Sequence, residues 1–467
     1  MTTLRSINPA TGETLAEHPA LSPEELERRL ALAAEAAPRW RRTPVAERAA
    51  VVARLAELLD AEKERLGRLM TLEMGKPIQA AIDEAAKCAE GCRFYAVHGP
   101  GFIADNVVDD AGHRSFVTYQ PLGVVLAIMP WNFPFWQVIR FVAPALVAGN
   151  VGLLKHASNV PGCALELESL VKRAGAPDGV FQALLIGSDA VPALLADPRV
   201  AAATLTGSEG AGRSVAQHAG EHLKKTVLEL GGSDAFVVMP SADLDRAVTT
   251  AVKARTINNG QSCIAAKRFI VHESIADHFL ERFSAGMQAL RVGDPLEPAT
   301  QIGPLATARL AEELEAQVQE SVAQGARLVC GGRRSAPTAY FPPTVLTEIP
   351  RESPAYRDEL FGPVGCVFVA RDVGDAIRIA NDTRFGLGSS AWTNDAAEQE
   401  RFVRELDAGS VFVNDMVVSD PRFPFGGVKA SGYGRELSDV GLREFTNVKT
   451  VRVRLGAGGA AAGRDTE

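Results

Sequence analysis

The chain has 467 residues, 46% hydrophobic and 23% charged, which is ordinary globular composition and enough chain for two or three domains. A net charge of −8 with no basic block argues against nucleic acid as a partner, and the opening Met1-Thr2-Thr3-Leu4-Arg5-Ser6 has no apolar leader, so a cytoplasmic protein is expected. The six cysteines (Cys88, Cys92, Cys163, Cys263, Cys330 and Cys366) then read as free thiols, and no His/Cys cluster has metal-ligand spacing, so no metal is expected.

Asn8-Pro9-Ala10-Thr11-Gly12-Glu13 reads as an entry turn. Ser22 is placed to cap a helix, with Pro23 at its first position and Glu24 and Glu25 in its first turn. Residues 45–70 continue as one helix, with Val51, Val52, Leu55, Leu58, Leu59, Leu66 and Leu69 at helical spacing, and Glu73-Met74-Gly75-Lys76-Pro77 stops it. Residues 82–97 form a third helix, with Cys88 and Cys92 on one face as core packing. Residues 122–139 carry no charge, but Pro130 and Pro134 interrupt them and Arg140 follows, so a strand, a loop and a buried helix fit better than a membrane span.

From 122 to 239 strand and helix alternate. The expected strands are 122–128, 151–154, 180–185, 202–205 and 226–228; the helices are 135–148, 160–174, 190–196 and 210–219. This is the signature of a doubly wound parallel sheet, which binds ligands at the C-terminal ends of its strands. Lys155 stands at one such end. Gly207-Ser208-Glu209-Gly210-Ala211-Gly212 stands at another and opens a helix, an arrangement as consistent with a plain glycine turn as with a pyrophosphate site. A second α/β pattern starts at Ser233, with strands 235–239, 268–271, 327–329, 344–346, 364–369 and 411–414 and helices 244–257, 276–289, 306–324 and 375–381. Strands at 113–120 and 446–455 form either a small exposed sheet or edges of the main one. The glycine- and alanine-rich residues 456–463 read as disordered.

The candidate chemistry centres on Cys263, in Asn258-Asn259-Gly260-Gln261-Ser262-Cys263. A cysteine at a polar, glycine-containing turn between two regular elements is either a small core residue or a nucleophile. Three further stretches decide for the nucleophile: Pro130-Trp131-Asn132-Phe133-Pro134, Leu228-Glu229-Leu230-Gly231-Gly232 and Glu359-Leu360-Phe361-Gly362-Pro363. In this order, and from about Asn8 to about Val453, the chain resembles the aldehyde dehydrogenase superfamily, most of all its shorter succinate-semialdehyde dehydrogenases. The resemblance implies an α/β fold of two doubly wound domains plus a small β-strand oligomerisation arm. The boundaries expected are 1–114 with 130–231 for dinucleotide binding, 232–431 for catalysis, 115–129 with 446–456 for the arm, and 457–467 as tail. The arm would pair protomers into a homo-dimer or homo-tetramer.

Such an oxidation needs a nucleophile, oxyanion donors, a dinucleotide and a base for water. The resemblance implies Cys263 for the first, Asn132 with the Cys263 backbone N–H for the second, and Glu229 for the last. The resemblance also implies Glu436 as a second acid that would relay the proton. Burial of Glu229 at the end of an apolar strand is expected to raise its pKa. For the cofactor, Lys155 would meet the adenine ribose, Gly207, Ser208, Gly212 and Trp131 the pyrophosphate, Glu359 the nicotinamide ribose, and Phe361 the ring. Three residues after the lysine stands Ser158, where an acid would select NAD; without it NADP is accepted or preferred over NAD.

The small-molecule aldehyde is expected near Phe133, Trp136, Arg140 and Ser419. Arg140, eight residues after Asn132 on the same predicted helix, would clamp a substrate carboxylate, or else form a structural ion pair. Relatives with a second arginine six residues before the nucleophile differ from this chain, which has Ile257 there and Arg255 further back. Broader aliphatic or other semialdehyde substrates therefore stay open.

Overall fold

The computed structural model describes residues 3–334 and 338–455. The tail expected to be disordered lies outside them. Two sheets carry the architecture. The first is six-stranded, in the order Gly432–Tyr433, Lys225–Glu229, Val200–Thr206, Val124–Met129, Val151–His156 and Phe181–Ala183. All neighbours are parallel except Gly432–Tyr433, which runs antiparallel beside Glu229. Strand Val124–Met129 is flanked by Val151–His156 and then Phe181–Ala183 on one side and by Val200–Thr206 on the other, so the sheet's direction of winding reverses there. This is the switch point at which doubly wound sheets take ligands. Helices Trp136–Ala148, Pro161–Arg173 and Glu209–Glu221 connect these strands, and Pro23–Arg42, Val45–Ala61, Lys63–Met74 and Ile78–Phe102 precede them in sequence and pack against them.

The second sheet is seven-stranded, in the order Arg327–Cys330, Thr344–Thr347, Val364–Ala370, Arg268–His272, Ala235–Val238, Gly388–Trp392 and Ser410–Val413, parallel but for the first strand. A core with Phe236, Phe269, Phe279 and Phe283 lies on one face, and one with Leu314, Val318, Leu360 and Phe402 on the other. Strands His113–Pro121 and Thr446–Arg454 pair antiparallel over their whole length. With Asn106–Val108 they make a separate three-stranded sheet that leaves Val107, Val448 and Val453 exposed.

Several expectations need correction. The single helix over 45–70 is two, because Glu62 leaves the helical conformation between them. Asn8–Glu13 is the turn of a hairpin formed by Thr3–Ile7 and Thr14–Pro19. Residues 124–129 sit at the centre of the six-stranded sheet rather than in the arm, which ends at Pro121. Asn132 precedes the helix that carries Arg140 rather than lying on it. Gly388–Trp392 and helix Ala396–Glu405 had no sequence counterpart. The former reads Gly-Ser-Ser and lacks the β-branched run that marks a strand. It is small because it must be: a side chain at Gly388 would meet Asp234 Oδ2 at 2.6 Å and Val417 at 2.9 Å. Among the described residues no helix is long and apolar enough to cross a membrane, and no cluster of three metal-ligating side chains occurs.

Candidate active site

Helix Leu244–Thr256 is capped by Asp243, whose side chain accepts from the Arg246 N–H, and it ends in an unusual run. Asn258 and Asn259 take φ of 56° and 59°, and Gly260 75°, three left-handed residues in succession. Asparagine tolerates that conformation because its amide replaces lost backbone hydrogen bonds. Asn259 Nδ2 donates to the Gly75 and Pro304 carbonyls at 3.0 and 2.9 Å, and its Oδ1 accepts from Gly303 N–H. Asn258 Nδ2 donates to the carbonyls of Asn132 (2.7 Å) and Gln261 (3.0 Å). Asn132 Nδ2 in turn donates to the Gln261 carbonyl at 3.0 Å. The turn ahead of Cys263 and the loop after Val124–Met129 are thus stitched together. A side chain at Gly260 would lie 2.3 Å from the Gly362 backbone, so the stretch Glu359–Gly362 packs directly on that turn.

Cys263 is half-buried. Burial pushes its thiol up to about 12, against the opposing pull of Arg140 and Lys267. Lys267, four residues on, is a clasp that sequence reasoning missed. Its ammonium donates to the Ser262 and Cys263 carbonyls at 2.8 and 2.7 Å and pairs with Glu359 at 2.9 Å. Glu359 also accepts from the Gly232 N–H at 3.2 Å. One carboxylate therefore bridges the cysteine turn and the glycines after Glu229.

Glu229 ends its strand 2% exposed, and neither carboxylate oxygen has a hydrogen-bond partner. Burial, then the charge of Glu436, push its pKa well above the usual range, partly offset by Arg140 and Arg435. Gly426, at φ 153°, makes room for it; a side chain there would stand 2.5 Å from Glu229 Oε1. Glu436 is equally buried and forms an ion pair with Arg140. Arg140 also donates to Thr206 Oγ1 at 3.1 Å and stacks on Phe425, 4.7 Å from the ring centroid. The ion pair expected as one reading of Arg140 is present.

A cavity of about 450 Å³ opens onto Cys263. Phe133, Trp136, Arg140 and Ser419 all border it, as does Ile257. Trp136 Nε1 donates to Ser419 Oγ at 3.1 Å. Arg255 does not reach the cavity: it is fully buried, spending its guanidinium on the Ala266 and Gly260 carbonyls. Sequence reasoning missed Lys87, which borders the cavity with its ammonium 4.5 Å from the Trp136 ring centroid. Nothing local marks it, since it sits in an amphipathic helix of ordinary composition.

The residues expected to hold a dinucleotide gather around the switch point of the six-stranded sheet. Ser208 caps helix Glu209–Glu221, its Oγ accepting from Ala211 N–H at 3.3 Å, and the Gly207 N–H donates to the Glu229 carbonyl. Gly212 is buried, and a side chain there would meet Leu230 at 2.5 Å. Trp131 and Phe361 meet edge to face, centroids 5.7 Å apart. Lys155 is half-buried, donates to none of the described residues, and has its pKa lowered by burial; Ser158 is exposed. A half-buried cation without an acceptor, one strand from an open helix N-terminus, suits an anionic, phosphate-bearing group.

Known proteins resemble this chain over nearly its whole length. A protein 56% identical over 452 residues, 96% of this chain and 99% of its own length, is succinate-semialdehyde dehydrogenase [NADP(+)] 1 of Mycobacterium tuberculosis strain H37Rv. Succinate-semialdehyde dehydrogenase [NADP(+)] of Mycobacterium avium is 55% identical, covering 98% of each chain. Among solved structures, succinic semialdehyde dehydrogenase from Streptococcus pyogenes in complex with NADP+ superposes with a TM-score of 0.94 at 35% identity, covering 97% of this chain and all of that one. The family model described as "Aldehyde dehydrogenase family" matches residues 1–451. With its thiol, buried acid and switch-point cradle on the elements described, the chain belongs to the aldehyde dehydrogenase family.

Proposed function

We propose that this enzyme oxidises succinate semialdehyde to succinate with NADP, and accepts NAD. The observation that carries the reading is the 56% identity over 99% of a relative named for that reaction and cofactor. The site supports it by its chemistry. The Cys263 thiolate attacks the aldehyde carbon, forming the S–C bond as the carbonyl oxygen takes up negative charge. That oxygen is met by the Asn132 side-chain amide and the Cys263 backbone N–H, donors already fixed by the Asn258–Gln261 hydrogen bonds. The bound dinucleotide supplies the hydride acceptor. Lys155, Ser208 and Gly207 would hold its phosphate-bearing half, and Glu359, Phe361 and Trp131 its other half.

A thioester on Cys263 remains, and Glu229 takes a proton from water as the water attacks it. Expulsion of the Cys263 thiolate releases the acid. The raised pKa of Glu229, set first by burial and then by the charge of Glu436 against the pull of Arg140, suits a base working near neutral pH, and Glu436 takes the proton onward. Phe133, Trp136 and Ser419 form the aldehyde's walls. Three residues past Lys155, exposed Ser158 leaves no carboxylate to repel a 2′-phosphate. Protomers assemble through the exposed three-stranded sheet, as a homo-dimer or homo-tetramer.

Side-by-side initial rates test the reading. Succinate semialdehyde should be preferred over butanal, and NADP over NAD, in kcat/KM. Equal rates for the two aldehydes would sink the substrate assignment, and a large preference for NAD would sink the cofactor assignment.

A further inference from the structure

Resting on the reading that the Cys263 N–H and the Asn132 amide receive the developing oxyanion, we propose that Lys267 strengthens the first of these donors by polarising the peptide to which it belongs. The carbonyl of Ser262 and the N–H of Cys263 are two ends of one amide. The Lys267 ammonium donates to that carbonyl at 2.8 Å. A cation hydrogen-bonded to an amide oxygen draws electron density from the nitrogen and makes its N–H a stronger donor. The Cys263 N–H donates to none of the described residues, so the strengthened donor is left for the substrate oxygen.

Lys267 has no N–H to spare for another task. Its three go to the Ser262 carbonyl, to the Cys263 carbonyl at 2.7 Å and to Glu359 Oε1 at 2.9 Å. None is left for an aldehyde or a dinucleotide, which makes Lys267 a positioning residue that acts through the peptide.

Mechanical support alone does not account for a charge at this place. The turn has other fasteners on both sides of the cysteine. Asn258 and Asn259 hold its first half, and buried Arg255 donates to the Gly260 and Ala266 carbonyls at 2.6 and 2.9 Å. The Lys267 side chain is 2% exposed, and burying an ammonium costs far more than burying a neutral donor. Two carboxyl groups offset that cost. Glu359 pairs with the ammonium directly. Asp234 is buried within reach of its charge, with a pKa raised to about 7 by burial against the pull of Lys267. Asp234 Oδ1 and the Cys263 carbonyl both border Gly232, where a side chain would meet them at 3.0 and 2.7 Å. Glu359 stands one hydrogen bond beyond the ammonium, so the Ser262 oxygen meets the cation first.

Two reactions of Cys263 that need no dinucleotide test this. The thiolate attacks p-nitrophenyl acetate at its carbonyl carbon: the S–C bond forms, the carbonyl oxygen takes the charge, and p-nitrophenolate leaves with its electron pair. Iodoacetamide alkylates the same thiolate with loss of iodide and builds no charge on oxygen. Both rates scale with the thiolate fraction, so their ratio at one pH reads the oxyanion donors. The burst of p-nitrophenolate gives the first rate, and mass spectrometry of Cys263 gives the second. Asn132→Ala should lower the ratio by about 10²–10³. Lys267→Met should lower it by about tenfold, since it weakens a donor without removing one, and Lys267→Arg should hold it within about threefold of wild type. If Lys267→Met fails to fold, Lys267→Gln carries the same test. An undiminished ratio in Lys267→Met or Lys267→Gln, or a Lys267→Arg enzyme that loses as much as Lys267→Met, would overturn the proposal and reduce Lys267 to a fastener of the turn. An unchanged ratio in Asn132→Ala would overturn the oxyanion reading, and this proposal with it.

Discussion

Arg140→Met should destabilise this protein, and the loss should be recovered by a second substitution at Glu436. Arg140 and Glu436 have side chains only 2% and 3% exposed, and Glu229 is buried beside them. Removing the guanidinium leaves two carboxylates in an apolar setting with only Arg435 to offset them. Breaking one side of a buried pair typically costs about 3–5 kcal/mol. At about 2.1 cal/mol/K per residue, unfolding entropy for this length is roughly 1 kcal/mol/K, so the melting temperature should fall by about 3–5 °C. The double variant Arg140→Met/Glu436→Gln removes the uncompensated charge and should return most of that loss, giving a clear coupling in the cycle. The pH dependence has a definite sign. Glu229 and Glu436 already have pKa values raised above the ordinary one, and losing Arg140 raises them further. A carboxyl whose folded pKa is raised gives stability that is complete below its unfolded pKa and is lost as pH rises through the folded value. The deficit of Arg140→Met should therefore be small near pH 5 and large near pH 8. Differential scanning fluorimetry of wild type, Arg140→Met, Glu436→Gln and the double variant at both pH values decides it. A double variant as unstable as the single one, or a deficit that shrinks as pH rises, would refute the reasoning.

Asn132→Ala removes an oxyanion donor and should lower kcat by about 10²–10³, with the fold kept, as read by steady-state rates and a melt. Glu229→Gln should acylate but hydrolyse slowly, so a single burst of NADPH should precede a much reduced steady rate, and the succinyl thioester on Cys263 should be seen by mass spectrometry; a proportional loss of burst and steady phases would refute its role as the base for water. The rate should climb with pH well beyond the ordinary carboxylate range, because Glu229 is raised above it and the Cys263 thiol is pushed up to about 12; a profile already flat from pH 5 would contradict both. Gly260→Ala places a side chain 2.3 Å from the Gly362 backbone at a left-handed residue and should abolish activity while shifting the melt sharply down.

How much of this was legible in the chain depends on the range of the interaction. Alternating strands and helices announced both sheets, and Ser22, Asp243 and Ser208 cap helices as side chains of their kind do. The motif stretches around Asn132, Glu229, Cys263 and Glu359 converge because each follows a strand or helix end, where backbone groups are left open to a ligand. Strand Gly388–Trp392 was hidden because its small residues answer to Asp234 and Val417, neither of them neighbours in sequence. Arg140 shows the same limit in the chemistry. Its spacing from Asn132 made it a candidate for a substrate carboxylate, but spacing carries no information about Glu436, which reaches it from the far end of the chain. Charge at a site is what remains after such pairings are subtracted. Arg140, Lys267 and Lys76 each meet a protein carboxylate, and Lys87 meets an aromatic face.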